Sequence, residues 1–173
     1  VKSKLYEGTE FIVTLYFKLT DEVVKSADAA ADSAYDFTGK RILLAEDNEL
    51  NREIATAILE ESGFKIETAV NGQECCDKLS SSSPGYYDLV LMDVQMPVLD
   101  GYSATKRIRN FANQTLANIP IIAMTANAFQ EDKQNAYAAG MNGHIAKPID
   151  IPVLFTTLKE IFAGEKKRNE KIA

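Results

Sequence analysis

Leu89-Val90-Leu91-Met92-Asp93 is a continuous apolar run that ends on a carboxylate. A strand covered on both faces reads this way, because neither side of it meets water. Ile42-Leu43-Leu44-Ala45 repeats the pattern upstream and ends in Glu46-Asp47, while 119–124 repeats it downstream and delivers Thr125. Two more strands are expected at 64–69 and 143–146, the latter delivering Lys147. Helical signals fill the gaps. Residues 49–62 carry Ile54, Ala57, Ile58 and Glu61 at helical spacing, with Gly63 as a stop. Asn71-Gly72 opens a helix ending near 80–84, and helices are expected at 101–111 and 128–139. Asp150 can cap a last helix whose Leu154, Leu158, Ile161 and Phe162 share one face. Strand and helix alternate throughout, which predicts an α/β fold, a doubly wound parallel sheet with helices on both faces. Right-handed crossovers then bring every strand C-terminus to one edge, where such sheets bind ligands.

Outside this region the pattern changes. Residues 9–19 alternate apolar and β-forming side chains and predict one strand, with apolar groups on both faces. Its free edge invites pairing with the same strand of a second molecule, a homodimer, or docking on the edge of the main sheet. In 20–38, Asp21, Glu22, Asp28, Asp32 and Asp36 face a single base, Lys25, among alanines, as in an acidic Ala-rich linker. The main domain is expected at 39–163, and 164–173 is a charged, solvated tail.

Composition narrows the function. The 173 residues hold 25 acids against 19 bases, a net charge of −6 that argues against a nucleic-acid binder. The two cysteines, Cys75 and Cys76, are adjacent and offer no useful cross-link, which fits a reduced, cytoplasmic domain. No apolar run approaches the roughly 18–20 residues of a membrane span. No signal peptide is expected, and any membrane anchor of a parent protein would lie outside this stretch.

The polar residues at the predicted strand ends are Glu46, Asp47, Asp93, Thr125 and Lys147. Three carboxylates crowded together oppose one another's ionisation unless a cation joins them. A hard divalent ion such as Mg²⁺, or Mn²⁺, suits an all-oxygen set and can also accept a substrate phosphate. Lys147 adds a point charge for the phosphoryl group and Thr125 a hydroxyl donor. Asp93 is then a carboxylate nucleophile able to form an aspartyl phosphate. Taken singly, each residue has a plainer use: Asp and Thr cap helices, and Lys is solvated. Their convergence on one edge favours the chemical reading.

Ala45-Glu46-Asp47-Asn48, Leu91-Met92-Asp93-Val94-Gln95-Met96-Pro97 with Asp100-Gly101, Met124-Thr125-Ala126 and Lys147-Pro148 together resemble the receiver domains of two-component systems. Residues 46–52, Glu-Asp-Asn-Glu-Leu-Asn-Arg, are similar to receivers attached to hybrid histidine kinases. The resemblance implies a five-stranded, flavodoxin-like receiver fold. It implies Asp93 as phosphoacceptor, Asp47 as a direct Mg²⁺ ligand, Glu46 acting through water, and the Gln95 carbonyl completing the set. Thr125, Ala126 and Lys147 would bind the phosphoryl group. His144 stands where the family often has an aromatic switch residue, although a half-exposed surface histidine explains it equally well. It is the only histidine. The donor must therefore be a phosphohistidine of another domain of the same kinase or of a different one, with a histidine phosphotransfer protein as a downstream partner. Gly8-Thr9-Glu10-Phe11 resembles the closing strand of a histidine-kinase ATP-binding domain, so that 1–19 would be its remnant. The whole would be a C-terminal piece of a hybrid kinase, a phosphoacceptor rather than a conventional enzyme. Gln95 and Asn127, two residues beyond Asp93 and Thr125, would influence how long the phosphoryl group persists.

Two other functions compete. An aspartyl-phosphate phosphatase of the haloacid-dehalogenase type also uses Asp, Mg²⁺ and Lys, but it carries a second Asp where this chain has Gln95. A receiver-shaped binding module that is never phosphorylated is the third reading, and the intact acidic set weighs against it.

Overall fold

The computed structural model describes residues 1–4, 8–10, 12–14, 37–126 and 130–170. It separates into two compact units, Val1–Ala34 and Tyr35–Ala173. In the first, β1 (Lys2–Lys4) pairs antiparallel with β2 (Gly8–Glu10). This corrects the single strand expected over 9–19. Strand β2 stops at Glu10, residues 12–14 are not in a strand, and 11 and 15–19 lie outside the described residues. Within the chain, the ladder partner of β2 is β1, a local hairpin partner. Most of the linker expected at 20–38 also lies outside the described residues.

The second unit is built on β3 (Arg41–Ala45), β4 (Lys65–Ala69), β5 (Leu89–Asp93), β6 (Ile121–Thr125) and β7 (Gly143–Ala146). They form one parallel sheet in the order β4-β3-β5-β6-β7. Alternate residues of β3, β5 and β6 feed two cores, as the period of two requires. Leu43, Val90, Met92, Ile121 and Ala123 pack on one face against α2 (Gly72–Ser81), α3 (Gly101–Arg109) and α5 (Gln130–Ala139). Ile42, Leu44, Leu89, Leu91, Ile122, Met124 and Ile145 pack on the other against α1 (Glu49–Glu61) and α6 (Ile151–Glu170). The doubly wound expectation therefore holds. A short α4 (Gln114–Ala117), capped by Asn113, was not expected.

Three local expectations need correction. Helix α1 buries Ala55 and Leu59, with Ile58 half-buried, whereas Ile54 is 49% exposed. The core residues β3, β5 and β6 present to α1 select the Ala55/Leu59 stripe. Helix α6 runs on to Glu170, through most of the tail expected at 164–173. The domain also begins before residue 39. Phe37 is buried, with its ring stacked 4.5 Å from that of Phe64 and tilted against Phe155 and Phe162. Cys75 and Cys76 are free and buried. Burial pushes both thiols up, Cys76 to about 11, which keeps them protonated and unreactive at neutral pH. Among the described residues no helix is long and apolar enough to cross a membrane.

Candidate functional site

The C-terminal edge of the sheet gathers the polar residues picked out in the sequence. Asp93 is the last residue of β5 and Thr125 the last of β6, and both are buried. Glu46 follows β3 directly and is buried, while Asp47 beside it is exposed. Lys147 follows β7, and its backbone N–H donates to the Thr125 carbonyl at 2.7 Å, which carries the β6–β7 ladder one step further. The side chains meet: Lys147 Nζ lies 2.5 Å from Glu46 Oε2 and 2.7 Å from Asp93 Oδ2. Asp93 Oδ1 accepts from the Gln95 N–H at 3.1 Å.

One carboxylate oxygen each from Glu46, Asp47 and Asp93 can lie within 4.8 Å of the others. All these donors are oxygen, the chemistry of a hard divalent cation, so the residues fit such an ion. Three carboxylates face one ammonium here, and the excess negative charge favours a further cation. Burial pushes the Asp93 carboxyl above the ordinary aspartate range, and the Lys147 ammonium does not fully reverse it. Burial alone would lower Lys147, but its hydrogen bonds to Asp93 and Glu46 win and hold the ammonium charged above its usual value.

Loop geometry fixes the backbone around Asp93. Gly101, at the start of α3, approaches so closely that a Cβ there would strike the Asp93 carbonyl. Its N–H donates to the Val94 carbonyl at 3.0 Å, closing the 94–101 loop over the strand end. Within that loop Val98 has φ 68, and the Leu99 N–H donates back to Pro97 O at 2.8 Å, a γ-turn of the strained hand. Val98 is 82% exposed, so its branched side chain projects into solvent beside the site.

His144 lies in β7, half-buried, three residues before Lys147, and burial together with nearby Lys133 lowers its pKa, leaving it neutral at pH 7. Ala126 is exposed just past Thr125, and Asn127 lies outside the described residues. Two contributors were missed in the sequence. Asn51 Nδ2 donates to Glu46 Oε1 at 3.2 Å, and Arg52 Nη1 donates to the carbonyls of Glu46 and Asp47 at 2.9 and 3.2 Å. Polar residues in the first turn of a helix normally read as solvated, which concealed them.

Comparison with known proteins shows the family. A family model described as Response regulator receiver domain matches residues 42–159. The chain is 34% identical over 164 residues to hybrid signal transduction histidine kinase K of Dictyostelium discoideum, covering 92% of this chain and 13% of that protein. It is 40% identical over 138 residues to the osmosensing histidine protein kinase SLN1 of Saccharomyces cerevisiae, covering 78% of this chain and 11% of that one. The chain thus spans a small part of the length of these relatives. Among solved structures, the receiver domain of a Pseudomonas aeruginosa sensor histidine kinase, with magnesium coordinated in its active-site cleft, aligns at TM-score 0.65 and 39% identity, covering 73% of this chain and 99% of that one. The receiver domain of the Saccharomyces cerevisiae response regulator Ssk1, crystallised with the histidine phosphotransfer protein Ypd1, aligns at TM-score 0.63 and 32% identity, covering 70% and 87%.

Proposed function

Because this chain belongs to the response regulator receiver domain family, we propose that it accepts a phosphoryl group on Asp93 from a phosphohistidine, as the receiver segment of a hybrid histidine kinase. The observation that carries this reading is the meeting of Asp93, Glu46, Asp47 and Lys147 at one edge, with Lys147 Nζ 2.7 Å from Asp93 Oδ2. Asp93 attacks phosphorus through a carboxylate oxygen. The new O–P bond forms as the P–N bond breaks, and the electron pair leaves on the imidazole nitrogen of the donor, which takes up a proton. Lys147 turns from Asp93 to the transferred oxygens and offsets their charge. Thr125 and the Ala126 backbone hold a second oxygen, and His144, opposite Ala123 in the β6–β7 ladder, is the candidate switch residue.

Asp47, Asp93 and the Gln95 carbonyl would hold Mg²⁺, with Glu46 acting through water, and the bound ion would supply charge neutralisation for the incoming phosphoryl group. A water-mediated role for Glu46 is supported by its partners, since its two carboxylate oxygens accept hydrogen bonds from Asn51 and from Lys147. The donor is a separate domain, because the single histidine of this chain sits on β7. A histidine phosphotransfer protein is the natural recipient downstream.

Intact-mass spectrometry after incubation with Mg²⁺ and acetyl phosphate tests the proposal. One phosphoryl adduct per chain is expected, absent in Asp93→Asn and absent with a chelator. An adduct of equal yield in Asp93→Asn overturns it.

A further inference from the structure

We propose that Arg52 and Asn51 are positioning residues that set the 46–48 segment for its cation before the cation arrives. The proposal rests on the cation site described above and adds to it the two side chains that aim it.

Residues 46–48 carry two of the three acids on a short connection between β3 and α1. Three carboxylates with one ammonium repel one another, and an unrestrained connection would let Glu46 and Asp47 swing apart. Its two ends are held by ordinary means. The Glu46 N–H donates to the Ala69 carbonyl at 3.0 Å, and the Asn48 side chain accepts from the Asn51 N–H at 3.1 Å as the cap of α1. Neither bond fixes the peptide planes between those ends. Arg52 does so, because Nη1 bridges two successive carbonyls, Glu46 O at 2.9 Å and Asp47 O at 3.2 Å. With both carbonyls pinned, the Cα–Cβ direction of Asp47 is set, although its own carboxylate is exposed. Asn51 completes the arrangement by holding Glu46 Oε1 at 3.2 Å, opposite the Lys147 bond to Oε2.

The two positioning residues sit at the start of α1, on consecutive positions about 100° apart on the helix. One meets the backbone of the acid segment and the other meets a carboxylate. The guanidinium nitrogen is directed at carbonyls, so its contribution is orientation of the acids rather than neutralisation of them. Groups that orient ligands in this way typically change metal affinity by about 10–100-fold when removed.

Isothermal titration of the full chain with Mg²⁺ provides the test, alongside thermal melting without metal. Arg52→Gln is expected to raise the Mg²⁺ Kd about tenfold. Asn51→Ala is expected to raise it less, about threefold, because one hydrogen bond is lost and the peptide planes stay pinned. Arg52→Lys, which keeps a multi-donor nitrogen close to the same reach, recovers part of the loss. The acetyl phosphate reaction supplies a second readout: half-saturating Mg²⁺ shifts upward in the variants, while the rate at saturating Mg²⁺ is retained. A general loss of fold would lower the melting temperature and the plateau rate together. Should Arg52→Gln fail to fold, Asn51→Ala, an exposed position, carries the test alone. Wild-type Kd in Asn51→Ala and in every folded Arg52 variant overturns the positioning role and leaves the phosphoacceptor reading standing. Absence of Mg²⁺ binding in the unaltered chain, or binding that survives Asp47→Ala, overturns the cation site itself and the positioning role with it.

Discussion

Ionisable side chains cluster at both ends of the main sheet, and the two clusters are built on opposite principles. Where the strands end, Glu46, Asp47 and Asp93 share one base, Lys147. Toward the end where β3 and β5 begin, Glu67 and Asp88 are matched by Arg41 and Lys40. Lys40 Nζ lies 2.7 Å from Asp88, and the guanidinium of Arg41 donates to Glu67 at 2.9 Å and stacks 4.2 Å from the Tyr86 ring. The hydroxyls of Tyr86 and Tyr87 each donate to Glu67 at 2.7 Å, one to each oxygen. That cluster has equal numbers of acids and bases, and its acceptors are occupied. The acidic cluster at the other end has an excess of negative charge, three carboxylates to one ammonium. A balanced cluster fastens strands together, whereas an unbalanced one is set up to take a cation and a phosphoryl group.

The largest expected effect separates the two ends outright. Asp93→Asn should abolish the acetyl phosphate adduct, while Glu67→Gln should leave its yield unchanged in intact-mass spectra. Equal loss in both variants would break the distinction. Packing gives the next largest effect. Phe37→Ala removes a buried ring from the Phe64/Phe155/Phe162 group and should cost about 3 kcal/mol in urea unfolding, with the adduct still formed by the folded fraction. A cost under roughly 1 kcal/mol would mean that the domain starts after Phe37, as the sequence first suggested. A smaller effect reports the charge imbalance directly. Mg²⁺ at roughly ten times its Kd should stabilise the folded chain by about 1.4 kcal/mol. Asp47→Ala should remove most of that gain, and Glu67→Gln none of it.

What could be read in advance was whatever repeats or converges. The apolar runs before Glu46, Asp93 and Thr125 mark fully covered strands, and their order brings the five polar groups to one edge. Features resting on a single residue or a distant partner were not legible. Phe37 is one aromatic ring in an acidic stretch, with no periodicity to declare it core. Of the residues read at helical spacing in α1, Ile58 packs on the core but Ile54 is exposed, so apolar spacing alone does not mark the buried stripe. The Arg41–Glu67–Tyr86 cluster joins side chains 26 and 45 positions apart, a separation no local pattern encodes. Helix α4 has four residues, too few to show a helical period. The Arg52 contacts are local, but a helix-surface arginine has the same sequence signature whether it is solvated or bonded.

The smallest effect is also the sharpest test of the comparison, because the two ends should respond to pH with opposite sign in metal-free protein. Burial tends to raise the Glu67 carboxyl, but the hydrogen bonds from Tyr86, Tyr87 and Arg41 outweigh it and hold it below its ordinary value of 4.5. An acid lowered by folding contributes stability that is present above its unfolded pKa and lost as pH falls through the folded one. Glu67→Gln should therefore lower stability at pH 7, by under about 1 kcal/mol because the pair is partly exposed, and the difference from the unaltered chain should close below pH 4.5. Asp93 behaves the other way. Burial raises its carboxyl above 3.8, so its charged form opposes folding, and stability is lost as pH rises from 3.8 through the raised folded value. Asp93→Asn in the presence of a chelator should then be more stable than the unaltered chain at pH 7, with the gain vanishing toward pH 3.8. Urea unfolding from pH 3.5 to 7 measures both curves. Slopes of the same sign would mean that Lys147 satisfies Asp93 as fully as the tyrosines and Arg41 satisfy Glu67, and the acidic edge would have no electrostatic demand left for a cation to meet.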